Sequence, residues 1–130
     1  MSTPSKPSTP QDLGRNGEDQ AVASLKARGY DILERNWRCE IGEADIVAAH
    51  DGDLVIVEVK TRRGKDAASR ALESLTAKKQ ATLLALAQAY QSILDDDDAS
   101  AYEGLRVDVV TIAVTPRGTF VEVYPNAVGW

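Results

Sequence analysis

Along Leu54 to Lys60, LVIVEVK, side chains alternate between two faces: Val55, Val57 and Val59 on one, Leu54, Ile56, Glu58 and Lys60 on the other. The first half is apolar on both faces, the pattern of a central strand covered on both sides, and it runs on toward Arg62. Upstream, Tyr30–Arg38 and Gly42–His50 read as two more strands, and Asp51-Gly52 is a two-residue hairpin signal. Leu105–Val114 and Thr119–Tyr124 read as a fourth and fifth strand around a Pro116-Arg117-Gly118 turn. Two stretches carry helical spacing instead. Asp12–Arg28 is a helix with Asp12 as N-cap and Gly29 as its stop. There Ala21, Val22 and Leu25 follow Glu18 by three, four and seven residues, which puts Glu18 on the inward stripe. Thr76 caps a second helix, Ala77–Leu94, with Leu83, Leu86, Ala87, Tyr90 and Leu94 as its stripe. The order α-β-β-β-α-β-β predicts an α/β fold, a central mixed five-stranded sheet flanked by helices.

The 130 residues suit one domain, 12–130, behind a Pro/Ser/Thr-rich tail, 1–11, expected to be disordered. The single cysteine, Cys39, has no disulfide partner or zinc-site neighbours. No segment reaches the length of a membrane span and no secretory h-region stands at the N-terminus, so the expectation is a cytoplasmic protein with no membrane partner. The formal net charge of −5 argues against a bulk nucleic-acid binder, which shifts attention to how charge is distributed. Asp95–Asp98 oppose the macrodipole at a helix end and are expected to stop that helix in solvent. His50 reads as a surface histidine, and Arg106 and Asp108 share a strand face as a structural pair.

A symmetric two- or four-residue turn around Asp51-Gly52 sets which residues face each other, and an odd-length loop or a bulge would break that register. Leu54 meets Ala49, Ile56 meets Val47, Glu58 meets Asp45 and Lys60 meets Glu43. Two carboxylates placed directly opposite repel. Either one takes a proton or a cation sits between them. Mg²⁺ suits the second solution, because it takes one or two carboxylates and keeps several waters. Asp45 and Glu58 would then hold Mg²⁺ or Mn²⁺, Lys60 would stabilise developing negative charge, and Glu18 would complete the shell directly or through water. A plainer arrangement has Glu43 and Lys60 as a cross-strand ion pair, with Asp45 and Glu58 at a solvated sheet end.

Asp45 followed by Glu58-Val59-Lys60 resembles the PD-(D/E)xK signature of restriction-endonuclease-like nucleases. Further segments, GRNGEDQAVASLKARGYDILERNWR, GEADIVAAHDGDLVIVEVKTRR and LRVDVV, resemble the YraN-like family of bacterial proteins. The likeness runs from Leu13 to about Tyr124, and it is similar, more distantly, to archaeal Holliday-junction resolvases. The resemblance implies an endonuclease-like fold and Glu18, Asp45, Glu58 and Lys60 as the catalytic set, with Glu43 a secondary candidate. Two positions depart from the pattern: Ala44, where a larger aliphatic residue is common, and Trp37, where a tyrosine is more usual.

From Lys60 to Gln80 seven cations stand against two acids, a local balance of +5 in an acidic chain. TRRGKDAASRALES reads as a basic loop with a short helical turn, leading into a helix N-terminus that favours phosphate. Arg62, Arg63, Lys65, Lys78, Lys79 and Gln80 are the expected nucleic-acid contacts. The resulting expectation is a metal-dependent nuclease acting on DNA rather than RNA, on branched or otherwise structured substrates. A homodimer or a DNA-processing partner would extend the limited contact surface of so short a chain. Two other classes fit the same residues: a non-catalytic nucleic-acid-binding or scaffolding module, insensitive to Glu58→Ala, and a protein-interaction domain that binds neither metal nor DNA.

Overall fold

The computed structural model describes residues 10–64 and 75–127. Its elements are α1 (Pro10–Ala27), β1 (Asp31–Cys39), β2 (Gly42–His50), β3 (Asp53–Arg63), α2 (Ala77–Ser92), α3 (Asp96–Ser100), β4 (Gly104–Thr115) and β5 (Gly118–Tyr124). The five strands form one sheet in the order β1-β2-β3-β4-β5. Only β3 and β4 run parallel, and the connection between them carries α2 across a sheet face.

Among the described residues, one helix packs on each face. Leu54, Ile56 and Val107 pack with Val47 beneath Leu83, Leu86, Ala87 and Tyr90 of α2. Val55, Val57, Val110 and Ile112 pack with Ile46 and Ala48 beneath Ala21 and Leu25 of α1. This double cover explains why β3 is apolar on both faces.

The Asp51-Gly52 turn forms as the sequence predicts. Both residues have positive φ, 50° and 83°, and His50↔Asp53 closes the hairpin.

Some boundaries differ from expectation. The first helix starts at Pro10, so Asp12 lies inside it and the expected tail is shortened by two residues. Proline suits a first helical turn because its missing N–H has no intrahelical partner there. The rest of the tail lies outside the described residues. At the other end, β3 runs through Arg62 as expected and one residue further, with Thr61–Arg63 paired with Ile112–Val114 of β4. The expected helical turn after them, with Lys65, lies outside the described residues. Asp95–Asp98 are exposed as expected, but they do more than end a helix. Asp95 Oδ1 accepts from Asp98 N at 2.8 Å and caps α3. Three acids fill the first turn of that helix, where negative charge complements the macrodipole.

Gly17 sets how closely α1 approaches the sheet. A Cβ there would collide with Thr61 Oγ1 of β3. Gly17→Ala should therefore destabilise the protein by about 1–3 kcal/mol, although alanine favours a helix. Adding Thr61→Ala should recover most of the loss, and urea denaturation of the single and double variants checks both.

At the hairpin end of the sheet lies a polar network. Arg106 Nε donates to Asp108 Oδ1 at 2.8 Å and Nη2 to Asp108 Oδ2 at 3.0 Å, while Nη1 reaches Asp53 Oδ2 at 3.2 Å. Tyr30 OH and Asn126 N also donate to Asp108, which is fully buried. The expected Arg106–Asp108 pair is thus present. His50, expected at the surface, is instead drawn in: its ring stacks on Tyr30 at 3.8 Å, and Nδ1 lies 2.7 Å from Arg106 Nη2. Guanidinium only donates, so Nδ1 is the acceptor. Burial, and then the bond to Asp108, push the Tyr30 hydroxyl up to about 12.

Candidate active site in the β2–β3 fork

The β2–β3 ladder runs from His50↔Asp53 to Ile46↔Val57, in the register that the turn dictates. It ends there, one pair short of Asp45 and Glu58. Beyond that point β2 stays with β1, through Trp37↔Ala44 and Arg38↔Glu43, and β3 stays with β4, through Glu58↔Val109 and Lys60↔Thr111.

The β1–β2 register shifts early, between Ile32 and Glu34, and is then constant through Arg35↔Ile46 and Trp37↔Ala44, with Asn36 (φ 53°) and Asp45 standing between those pairs. The alternation of β2 slips around Asp45. Ile46 packs toward α1 whereas Ala44 joins Val47 on the α2 face. Asp45 thereby leaves the normal in–out sequence. Its Oδ2 accepts from the Val59 backbone N at 2.8 Å, taking the place of a ladder bond between the strands.

Asp45 and Glu58 come close enough for each to feel the other's charge. Burial first, then the Glu58 carboxylate, push Asp45 up to about 7; Glu18 adds to the rise, and the Val59 N–H and Lys79 oppose it. The Glu58 side chain is only 7 % exposed, and its Oε1 lies 3.4 Å from Lys60 Nζ and 3.7 Å from Lys79 Nζ. A carboxylate so buried needs such partners to remain charged.

The other expected residues divide. Glu18 lies on the partly buried side of α1, with Oε2 3.9 Å from Arg35 Nη2, and acts on Asp45 through its charge. Glu43 pairs with Arg38 at 3.4 Å and not with Lys60, because the fork parts their strands before they could meet. Asn36, which the sequence reading passed over, joins the two glutamates. With its amide nitrogen turned toward them it donates to Glu18 Oε1 at 3.3 Å and Glu43 Oε1 at 3.2 Å. Positive φ is commoner for asparagine than for most residues, and that was the available signal.

Of the expected nucleic-acid contacts, Arg62 shares the face of Glu58 and Lys60 by strand alternation, whereas Arg63 points to the opposite face. Lys78 is exposed on the first turn of α2. Gln80 Nε2 donates to Leu75 O at 3.0 Å and ties down the approach to that helix. Lys79 differs from the expectation most, since it stands inside the site against Glu58.

No trio of His, Cys, Asp and Glu gathers as a ready metal cluster among the described residues. The full three-carboxylate shell is therefore not assembled, because Glu18 is held from α1 beside Arg35 and Asn36. A repelling carboxylate pair in a partly buried fork is nonetheless a donor set that fits Mg²⁺ or Mn²⁺, which complete their shells with water and phosphate oxygens.

The fold and the site together define a small α/β protein with a carboxylate–lysine fork at one end of its central strands. The chain belongs to the family described as Uncharacterised protein family UPF0102, whose model matches residues 17–112. That span holds Glu18, Asp45, Glu58, Lys60 and Lys79, and membership bears out the YraN-like resemblance at the level of the family. A UPF0102 protein of Roseiflexus castenholzii is 50% identical over 111 residues, covering 85% of this chain and 86% of its own. One from Clavibacter michiganensis subsp. michiganensis is 44% identical over 108 residues, 83% and 86% of the two chains. One from Chloroflexus aurantiacus is 41% identical over 122 residues, 94% of each. No helix among the described residues is long and apolar enough to cross a membrane.

Trp37 and Ala44 are cross-strand partners, a large indole beside a small methyl, and Trp37 makes an edge contact with Tyr90 at 5.1 Å.

Proposed function

We propose that this protein is a restriction-endonuclease-like, divalent-metal-dependent nuclease that hydrolyses phosphodiester bonds of DNA, on branched or otherwise structured substrates. The observation that carries the reading is the fork: Asp45 and Glu58 are held together against their own repulsion, with Lys60 on the same carboxylate. A fold built only for stability would gain by replacing one of these acids.

Asp45 and Glu58 would hold Mg²⁺ or Mn²⁺. When bound, such an ion lowers the pKa of its water and offsets charge on the phosphate. Lys60 orients the attacking water and stabilises the charge that develops on the phosphoryl oxygens. Glu18 reaches the same centre through water, steered by Asn36. Arg62, on the same face as Lys60, positions the nucleic-acid backbone, and Lys78 adds a phosphate contact from α2. The acidic balance elsewhere disfavours indiscriminate binding and favours a substrate chosen by shape, engaged by a homodimer or delivered by a DNA-processing partner in the cytoplasm.

A panel of single-stranded, duplex, flap and four-way-junction DNA, with Mg²⁺ and then Mn²⁺, tests this. Cleavage of a structured member, lost in Lys60→Ala, is the expected outcome. Binding without turnover, equal in wild type and variant, would mark a scaffolding module instead.

A further inference from the structure

Two ammonium groups converge on one oxygen, Glu58 Oε1, and they are not equivalent. Lys60 comes from the same strand, two residues on, and its side chain is 18 % exposed. Lys79 reaches across from α2 and is 36 % exposed. Its backbone N donates to Thr76 Oγ1 at 3.1 Å, so the helix cap fixes where the stem begins while the four-carbon arm stays mobile. Lys79 also lowers the pKa of Asp45, so its charge acts on both acids of the fork.

A cation that neutralises a carboxylate competes with any metal for the same oxygen. The better-anchored lysine keeps its place most easily, and the longer, wetter contact gives way. The yielding ammonium then stands beside the fork at the start of a 16-residue helix, where phosphate is favoured.

Resting on the nuclease reading above, we propose that Lys79 is a displaceable counter-ion: it holds Glu58 in the metal-free protein, gives it up to a divalent cation, and then binds the phosphate of the nucleic acid. The two ligands are coupled through this one side chain, which makes the fork receptive to DNA only once it is loaded.

Mn²⁺ titration by calorimetry and binding of a single-stranded oligonucleotide, with and without Ca²⁺, test this on wild type, Lys79→Met, Lys79→Gln and Lys78→Met. Circular dichroism confirms that each variant is folded. Removing the competitor should tighten Mn²⁺ binding by about three- to tenfold in both Lys79 variants and leave Lys78→Met unchanged. Oligonucleotide affinity of the Lys79 variants should fall below wild type only when Ca²⁺ is present. The log-affinity against log-salt slope should then lose about 0.7 for the one phosphate contact. Unchanged or weaker Mn²⁺ binding in the Lys79 variants, or an equal loss of DNA affinity with and without Ca²⁺, overturns the inference alone. A wild type that binds no divalent ion overturns the nuclease reading and this inference with it.

Discussion

Asp45→Asn is expected to make the protein more stable and inactive at once. In the folded chain Asp45 titrates at about 7, raised first by burial and then by Glu58. In the unfolded chain an aspartate titrates near 3.9. Below both values the carboxyl is protonated in either state and contributes no pH dependence. As pH rises from about 4 to about 7, the unfolded chain releases the proton and the folded one keeps it, so stability falls. Above about 7 the penalty is complete, on the order of 2–4 kcal/mol. Asparagine carries no charge to repel Glu58, and its carbonyl still accepts from Val59 N. Urea denaturation should therefore show Asp45→Asn more stable by that amount at pH 8 and little changed at pH 4. Equal stability at both pH values would mean that Asp45 is not under electrostatic strain. Loss of the ligand should lower metal-dependent cleavage by about a thousandfold or more, because a bound ion supplies several kcal/mol of charge stabilisation. Stability and activity moving in opposite directions is the signature of a residue kept for chemistry.

Arg106→Leu is expected to have the largest effect on stability, a loss of about 3–5 kcal/mol. Asp108 is fully buried and takes two bonds from Arg106, with Tyr30 and Asn126 on the remaining positions. Without the guanidinium a buried carboxylate loses its counter-charge, and Asp53 and His50 each lose a donor. Arg106→Leu combined with Asp108→Leu should cost less than the sum of the two single changes, because no uncompensated charge is left. Asp108 pairs with Val57, one residue before Glu58, but strand alternation puts the cluster on the opposite sheet face from Glu58, so folded Arg106→Leu should keep its cleavage rate. Denaturation and rate measurements on the single and double variants separate the two roles.

The parts of the molecule that follow local rules were legible in the chain. Asp51-Gly52 admits one tight turn, and that turn put Val47 opposite Ile56 and carried the register to Ile46↔Val57, one pair short of Asp45 and Glu58. The helical stripe of Leu83, Leu86, Ala87 and Tyr90 is the buried face of α2, and Thr76 caps it. Glu18 lies on the side of α1 that its spacing from Ala21 and Leu25 assigned.

What was not legible depends on departures from regular pairing or on distant contacts. A ladder extrapolated from the turn carries Lys60 to Glu43, but the β2–β3 ladder ends at Ile46↔Val57, where the alternation of β2 slips around Asp45. Lys79 looked like one of a run of basic residues, and only the crossing of α2 over β3 brings it to Glu58. The pairing of Arg106 with Asp108 follows from strand alternation, whereas the arrival of Tyr30, His50 and Asp53 needs three other elements in place.

The most direct measurement of the central claim compares wild type with Glu58→Ala on the DNA panel, with Mn²⁺ and with the ion chelated. Cleavage that needs the ion and disappears in Glu58→Ala is the predicted result. An inert wild type, or cleavage that survives Glu58→Ala, would contradict the assignment of the fork as a metal-dependent nuclease site.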